Sequence, residues 1–177
     1  MTTINRQKGA VLIVSLIILL LLTLIGVSGA RGVLMSERMT FASRDARVAL
    51  EVAESMARLG EAHIDSLTDT TSFTDSGWLR TAGNGPDDLL AEGTWTDANS
   101  TSRSVGMKGP DGTALTGRMY IEMSGLASDD SNAADVDLSA GTTGLAFDDI
   151  QVFKIVTHGV GIGGTERVVV TLYGKAF

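Results

Sequence analysis

The chain opens with a short polar stub and then runs from Ala10 to Ala30 without a charged residue, "AVLIVSLIILLLLTLIGVSGA". As a helix these residues extend about 31 Å at about 1.5 Å per residue, close to the thickness of a bilayer's hydrocarbon core. The pattern then changes period without a break. In "VLMSERMTFASRDARVALEVAESMARLGEAHIDSL", apolar or small residues recur at Ala42, Ala46, Ala49, Ala53, Met56, Leu59, His63 and Leu67, in steps of three and four. That spacing places them on one helix face. Arg31, Arg38, Arg44, Arg47 and Arg58 alternate with Glu37, Asp45, Glu51, Glu54 and Glu61, the mixed-sign pattern of a solvated face. With no proline at the junction, the pattern predicts one helix from Ala10 to Leu67, about 87 Å long. The face at Ala46, Ala49, Ala53, Met56 and Leu59 is expected to pack on a head.

After Leu67 the texture turns to loop chemistry. "TDTTSFTDSGW", "AGNGPDD" and "KGPDGT" set Pro86 and Pro110 beside Gly and Asp. The first persuasive strand is "GRMYIEMSG" (117–125), where Met119, Ile121 and Met123 alternate with Arg118, Tyr120 and Glu122. "IQVFKIVTH" (150–158) and "ERVVVTLYG" (166–174) predict a hairpin across "GVGIGG". The fold class is therefore α+β: a long N-terminal helix, first membrane-spanning and then amphipathic, packed on a small antiparallel sheet with long loops. Three or four strands would cover the stripe between Ala42 and Leu67.

Composition narrows the function. The net charge is −7, and Lys and Arg are thinly spread, so nucleic acid is a poor partner. The absence of cysteine removes disulfides, thiolate metal sites and thiol nucleophiles together. Aromatic residues are 5%, implying a head with a modest core.

The N-terminus admits three readings. Ser28-Gly29-Ala30 would suit a signal peptidase, releasing a secreted product that begins at Arg31. An intact leader would make the span a permanent single-pass anchor for a periplasmic binding module. Against the first reading, the apolar run exceeds the usual 7–15 residues of a signal peptide and flows into more helix. Arg6 and Lys8 precede the span while Arg31 and Arg38 follow it, so charge alone leaves orientation open. A head outside the cytoplasm is the default.

The third reading comes from a resemblance. "RQKGAVLIVSLIILLLLTLIG" (6–26), "SERMTFASRDARVALEVAESMARLGE" (36–61) and, more loosely, "FKIVTHGVGIGGTERVVVTLY" (153–173) resemble type IV prepilins, and within them minor pilins of the PilX type. The resemblance implies a leader over residues 1–9, a membrane and filament-core helix over 10–30, its amphipathic continuation over 31–67, and a periplasmic or extracellular head over 68–177. It implies cleavage by a prepilin peptidase between Gly9 and Ala10, with methylation of the new amine on Ala10. Arg6 and Lys8 would hold the leader in the cytoplasm. Val11, Leu12, Ile13, Val14, Leu16, Ile17, Leu20 and Leu24 would pack in the filament core. Major pilins carry a glutamate at the fifth residue after the cut, where this chain has Val14. In the families resembled, that absence goes with rare subunits near the tip. The expectation is a minor pilin that primes assembly or sits near the tip, supporting adhesion or twitching motility indirectly. It would reside in the inner membrane and then in the pilus at the cell surface, with other minor pilins, the major pilin and a tip adhesin as partners. Pseudopilins of type II secretion share the architecture. The span also lacks the proline usual in major pilins, and Gly26, Gly29 and Gly32 either loosen the helix in its place or allow close helix contact.

Remaining motifs favour structural readings. Gly159, Gly161 and Gly164 satisfy G-x-G-x-x-G, but a β-branched run follows where a phosphate-binding loop would open a helix. Asp129, Asp130, Asp135, Asp137, Asp148 and Asp149 could offer oxygen ligands to calcium, yet their spacing fits no EF-hand loop. His63 and His158, the only two histidines, lack a nucleophile motif to complete a hydrolase triad. No enzyme activity and no cofactor is expected. Trp78 and Trp95 could be core plugs or exposed contacts.

Overall fold

The computed structural model describes residues 8–127 and 150–177. Arg6 and the six aspartates of the acidic stretch lie outside them. One helix, α1, runs Lys8–Ser66 with no break. Among the described residues five strands follow: β1 Leu79–Arg80, β2 Thr101–Lys108, β3 Ala114–Leu126, β4 Ile150–Val160 and β5 Glu166–Ala176, with a 3₁₀ turn at Glu92–Trp95. The chain divides into two units, one ending at Ser43 and the other spanning Arg44–Phe177.

In the second unit, the C-terminal part of α1 lies on a sheet. The helix and the three strands expected from the pattern are present. β3 and β4 pair antiparallel from Gly117↔Gly159 to Leu126↔Gln151, and β4 and β5 pair from Ile150↔Ala176 to Val160↔Glu166. β4 is the inner strand and is buried along almost its whole length. β2 pairs antiparallel with β3, with a register shift between Ser104 and Lys108. The sheet is mixed, which corrects the antiparallel expectation. β1 runs parallel to β3 through Leu79↔Ile121 and Arg80↔Glu122, on the stretch of edge that β2 leaves beyond Thr101↔Met119.

Alternation along β3 sorts its residues between two faces. Ile121 and Met123 join Phe153, Ile155, Phe73 and Ile64 of α1 in the core beneath the helix. Tyr120 turns to the opposite face, where it meets Trp95 and Val156. Trp78 packs against both clusters and Trp95 is buried, so both tryptophans are core plugs. The loop over the outer face is tied down by charge. Glu122 accepts from the N–H groups of Gly83 (2.9 Å) and Gly85 (3.2 Å) and ion-pairs with Lys154 Nζ at 2.5 Å. Arg80 donates to Asn84 O and Asn99 Oδ1. Burial pushes the Tyr120 phenol up to about 12, with Glu122 adding to the shift and Arg80 opposing it.

The helix sits close because glycines face it. A Cβ on Gly159 would lie 2.2 Å from Ala49 O and 2.6 Å from Ala53 N, and one on Gly117 would lie 2.3 Å from Met56 Cγ. Thr157 Oγ1 donates to Ala53 O at 2.9 Å. Ala49, Ala53 and Met56 are buried, and Ala46 is half-buried. Leu59 corrects it: this side chain is 40% exposed. From Met56 the helical period can step to 59 or 60, and the contact goes to Gly60, where a Cβ would come within 2.8 Å of Ile155 Cγ2. Val52, Ala57 and Ile64 complete the buried face.

Gly159→Ala should destabilise the head by about 1–3 kcal/mol, the usual cost of overpacking. Gly93→Ala, where a Cβ meets nothing within 4 Å, should be nearly neutral. Urea denaturation of the two variants checks the difference.

Candidate assembly helix and its attachment

The described part of the first unit is helix alone. From Val11 to Ile25 its large apolar side chains are exposed all round, including the eight expected to pack in a filament core. Val11, Leu12, Ile13, Val14, Leu16, Ile17, Leu20 and Leu24 range from 48% to 68% exposed. Its most apolar window has a mean hydropathy of 3.0 and no burial, so the helix is long and apolar enough to cross a membrane. Eleven leucines and isoleucines fall between Leu12 and Ile25. They are 48–67% exposed, so covering the remainder of each is worth about half to two thirds of the ~1.5–3 kcal/mol of a full burial. Their sum is comparable with the roughly 5–15 kcal/mol that stabilises a whole domain, so water is a costly surround. The polar side chains Ser15 and Thr23 are internally satisfied: their hydroxyls donate to Leu12 O (2.9 Å) and Leu20 O (2.8 Å). This suits a helix in lipid or among other helices.

Gly9 and Ala10 fall in the first turn of α1, and Lys8 begins it. Gly26, Gly29 and Gly32 leave the helix unbroken, and a Cβ on any of them would meet nothing within 4 Å.

The amphipathic part of α1 is fastened to the sheet at both ends. Near the start, Asp45 enters the β4–β5 loop and accepts from the N–H groups of Gly163 (2.6 Å) and Thr165 (2.9 Å). The Gly163 N–H, followed by the Thr165 hydroxyl and N–H, holds its carboxyl below the usual carboxylate range. A Cβ on Gly161 would sit 2.4 Å from Asp45 Oδ1, which explains a glycine there. The G-x-G-x-x-G match is thus a hairpin loop seating the chain's own carboxylate. At the far end, Lys175 Nζ donates to Ile64 O (2.8 Å), Asp65 O (2.9 Å) and Leu67 O, placing a cation at the helix's negative terminus. Tyr173 OH donates to Asp65 Oδ1 at 2.7 Å, which raises the phenol. Neither clamp carries a hydrophobic period, and in the sequence Asp45 belongs to the mixed-sign charge pattern of a solvated face.

The two histidines do not meet. His63 lies against Trp78, centroids 4.9 Å apart with the rings tilted by 49°, and burial, followed by the charge of Arg103, lowers its pKa. His158 stacks on Trp95 at 4.7 Å on the outer face of the sheet.

Two expectations follow. The Asp45 carboxyl is more acidic folded than unfolded, so its stabilisation is complete above the unfolded value of about 3.9 and is lost as pH falls through the folded one. The stability difference between the parent and Asp45→Asn should therefore stay constant from pH 7 to about pH 5 and shrink below about pH 4 in urea titrations. Second, Ala at Gly26, Gly29 or Gly32 should add about 1 kcal/mol of helix stability each. Thermal unfolding of the triple variant in detergent micelles, followed by circular dichroism, checks the gain.

Residues 8–57 match the family model described as PilX N-terminal, a match covering the apolar span and most of the amphipathic continuation of α1. No curated protein and no solved structure matches the chain. Over those residues the chain is similar to type IV pilin-like proteins of the PilX type, which are structural subunits.

Proposed function

We propose that this protein is a minor pilin of a type IV pilus that primes assembly or sits near the filament tip. The observation that carries the reading is the division of one unbroken helix. From Val11 to Ile25 the helix exposes apolar side chains on every side, and beyond Ser43 one face of it is covered by the chain's own head. A span destined only to hold a head in a membrane gains nothing from such a continuation. A subunit that leaves lipid for a bundle of like helices does, because the head can be presented at the bundle surface without a flexible hinge. The match to PilX N-terminal over 8–57 supports the same reading.

In this mechanism the leader, with Arg6 and Lys8, anchors the N-terminus on the cytoplasmic side until a prepilin peptidase cuts between Gly9 and Ala10. Removing two positive charges frees an apolar helix end. Ala10 is then methylated, and the segment from Val11 to Leu24 exchanges lipid for neighbouring pilin helices, a transfer between apolar surroundings that avoids water. Packing rather than solvation decides the partner. Val14 places no carboxylate near a neighbour's terminal amine, which favours a rare position over the repeating body of the fibre. Partners are other minor pilins, the major pilin and a tip adhesin. The chain resides in the inner membrane with its head in the periplasm until it enters the filament.

N-terminal analysis of the protein from cells with and without prepilin peptidase tests this. The expected product begins with N-methylated Ala10 only when the peptidase is present. A product beginning at Arg31, or an unprocessed leader in both strains, would contradict the proposal.

A further inference from the structure

We propose that a cleft on the outer face of the sheet receives a basic side chain, arginine or lysine, from a partner protein. The cleft, about 310 Å³, lies between the Glu92–Trp95 turn and β3–β4, and its walls include Leu90, Glu92, Trp95, Arg118, His158 and Glu166.

Arg118 donates to Ser100 Oγ at 3.1 Å and to Asp97 Oδ1 at 2.7 Å, two of the five N–H groups of its guanidinium. Trp95 Nε1 donates to Leu89 O at 2.9 Å. The carboxylates of Glu92 and Glu166 accept no hydrogen bond among the described residues. His158 is 7% exposed, yet its Nε2 has no hydrogen-bond partner among the described residues. Glu166 Oε2 stands 3.4 Å away, an ion-pair separation only if the imidazole is protonated. A buried ring nitrogen left without a partner is costly. The ring is held in place by its stack on Trp95, centroids 4.7 Å apart and planes 16° apart.

Arg118 and Asp97 cancel in charge, so the two glutamates leave the cleft negative. What fits is a group that brings donors and positive charge. Leu90 at the rim, 80% exposed, would cover the methylene stem behind a guanidinium or ammonium head. An anion would face two carboxylates. This inference stands apart from filament membership, since it concerns the head alone and its test needs no pilus.

The test uses the full chain in detergent micelles, with ¹⁵N-labelled indoles. Its two tryptophans give two readily assigned signals. On titration with N-acetylarginine methylamide, the Trp95 indole should shift saturably while that of Trp78 stays in place. The citrulline counterpart, of the same shape but uncharged, should bind at least tenfold more weakly. The double variant Glu92→Gln/Glu166→Gln should lose at least tenfold in affinity, and Leu90→Ser, at an exposed rim position, several-fold. Absence of a Trp95 shift, equal binding of citrulline, or a saturable shift with inorganic phosphate in place of the arginine derivative would overturn the proposal.

Discussion

Everything in this molecule answers to one constraint: the apolar half of α1 must be covered, and no described part of the chain covers it. Leucine and isoleucine side chains from Leu12 to Ile25 stand exposed around the full circumference of the helix. An amphipathic surface helix would show one such stripe, whereas a helix apolar all round belongs in lipid or inside a bundle. The hydroxyls of Ser15 and Thr23 are folded back onto the helix, so no donor on those two side chains requires water. Among the described residues nothing supplies that cover, and lipid or other helices would.

The second half of α1 meets the opposite condition, and the head supplies it. Gly117 and Gly159 remove side chains where strand and helix backbones nearly touch, and Gly60 does the same from the helix side. Close approach maximises dispersion contact along Val52, Met56 and Ile64. Hydrophobic packing alone would leave the helix free to slide, because an apolar stripe is nearly uniform along its length. Asp45 in the β4–β5 loop and Lys175 on the last carbonyls fix its position along the sheet. Both contacts are charge-assisted, and both join α1 to β5 or the turn before it. The C-terminal hairpin is therefore the part of the head that locks the helix.

Much of this was legible in the sequence. A 3.6-residue period and the absence of proline were enough for α1, and alternation was enough for β3, β4 and β5. β2 escaped because Thr101–Lys108 is a polar edge strand with most residues exposed, so it carries no alternating apolar signal. β1 escaped because two residues have no period at all. Leu59 was misplaced since a pattern of apolar letters cannot register a glycine as the contacting residue. The polar clamps were invisible for a related reason: Asp45 and Lys175 act across more than a hundred residues, and nothing in their local surroundings distinguishes them from solvated charges. The G-x-G-x-x-G decoy was recognisable by its context, although not the carboxylate that occupies it.

The central claim is that the exposed apolar helix ends among helices of other subunits. Its most direct test is a photo-crosslinking amino acid at position 20, activated in intact, sheared and washed filaments. The account predicts covalent products joining residue 20 to the N-terminal helix of another pilin. Recovery of the protein only in the membrane, with residue 20 joined to lipid and to no pilin helix, would contradict it.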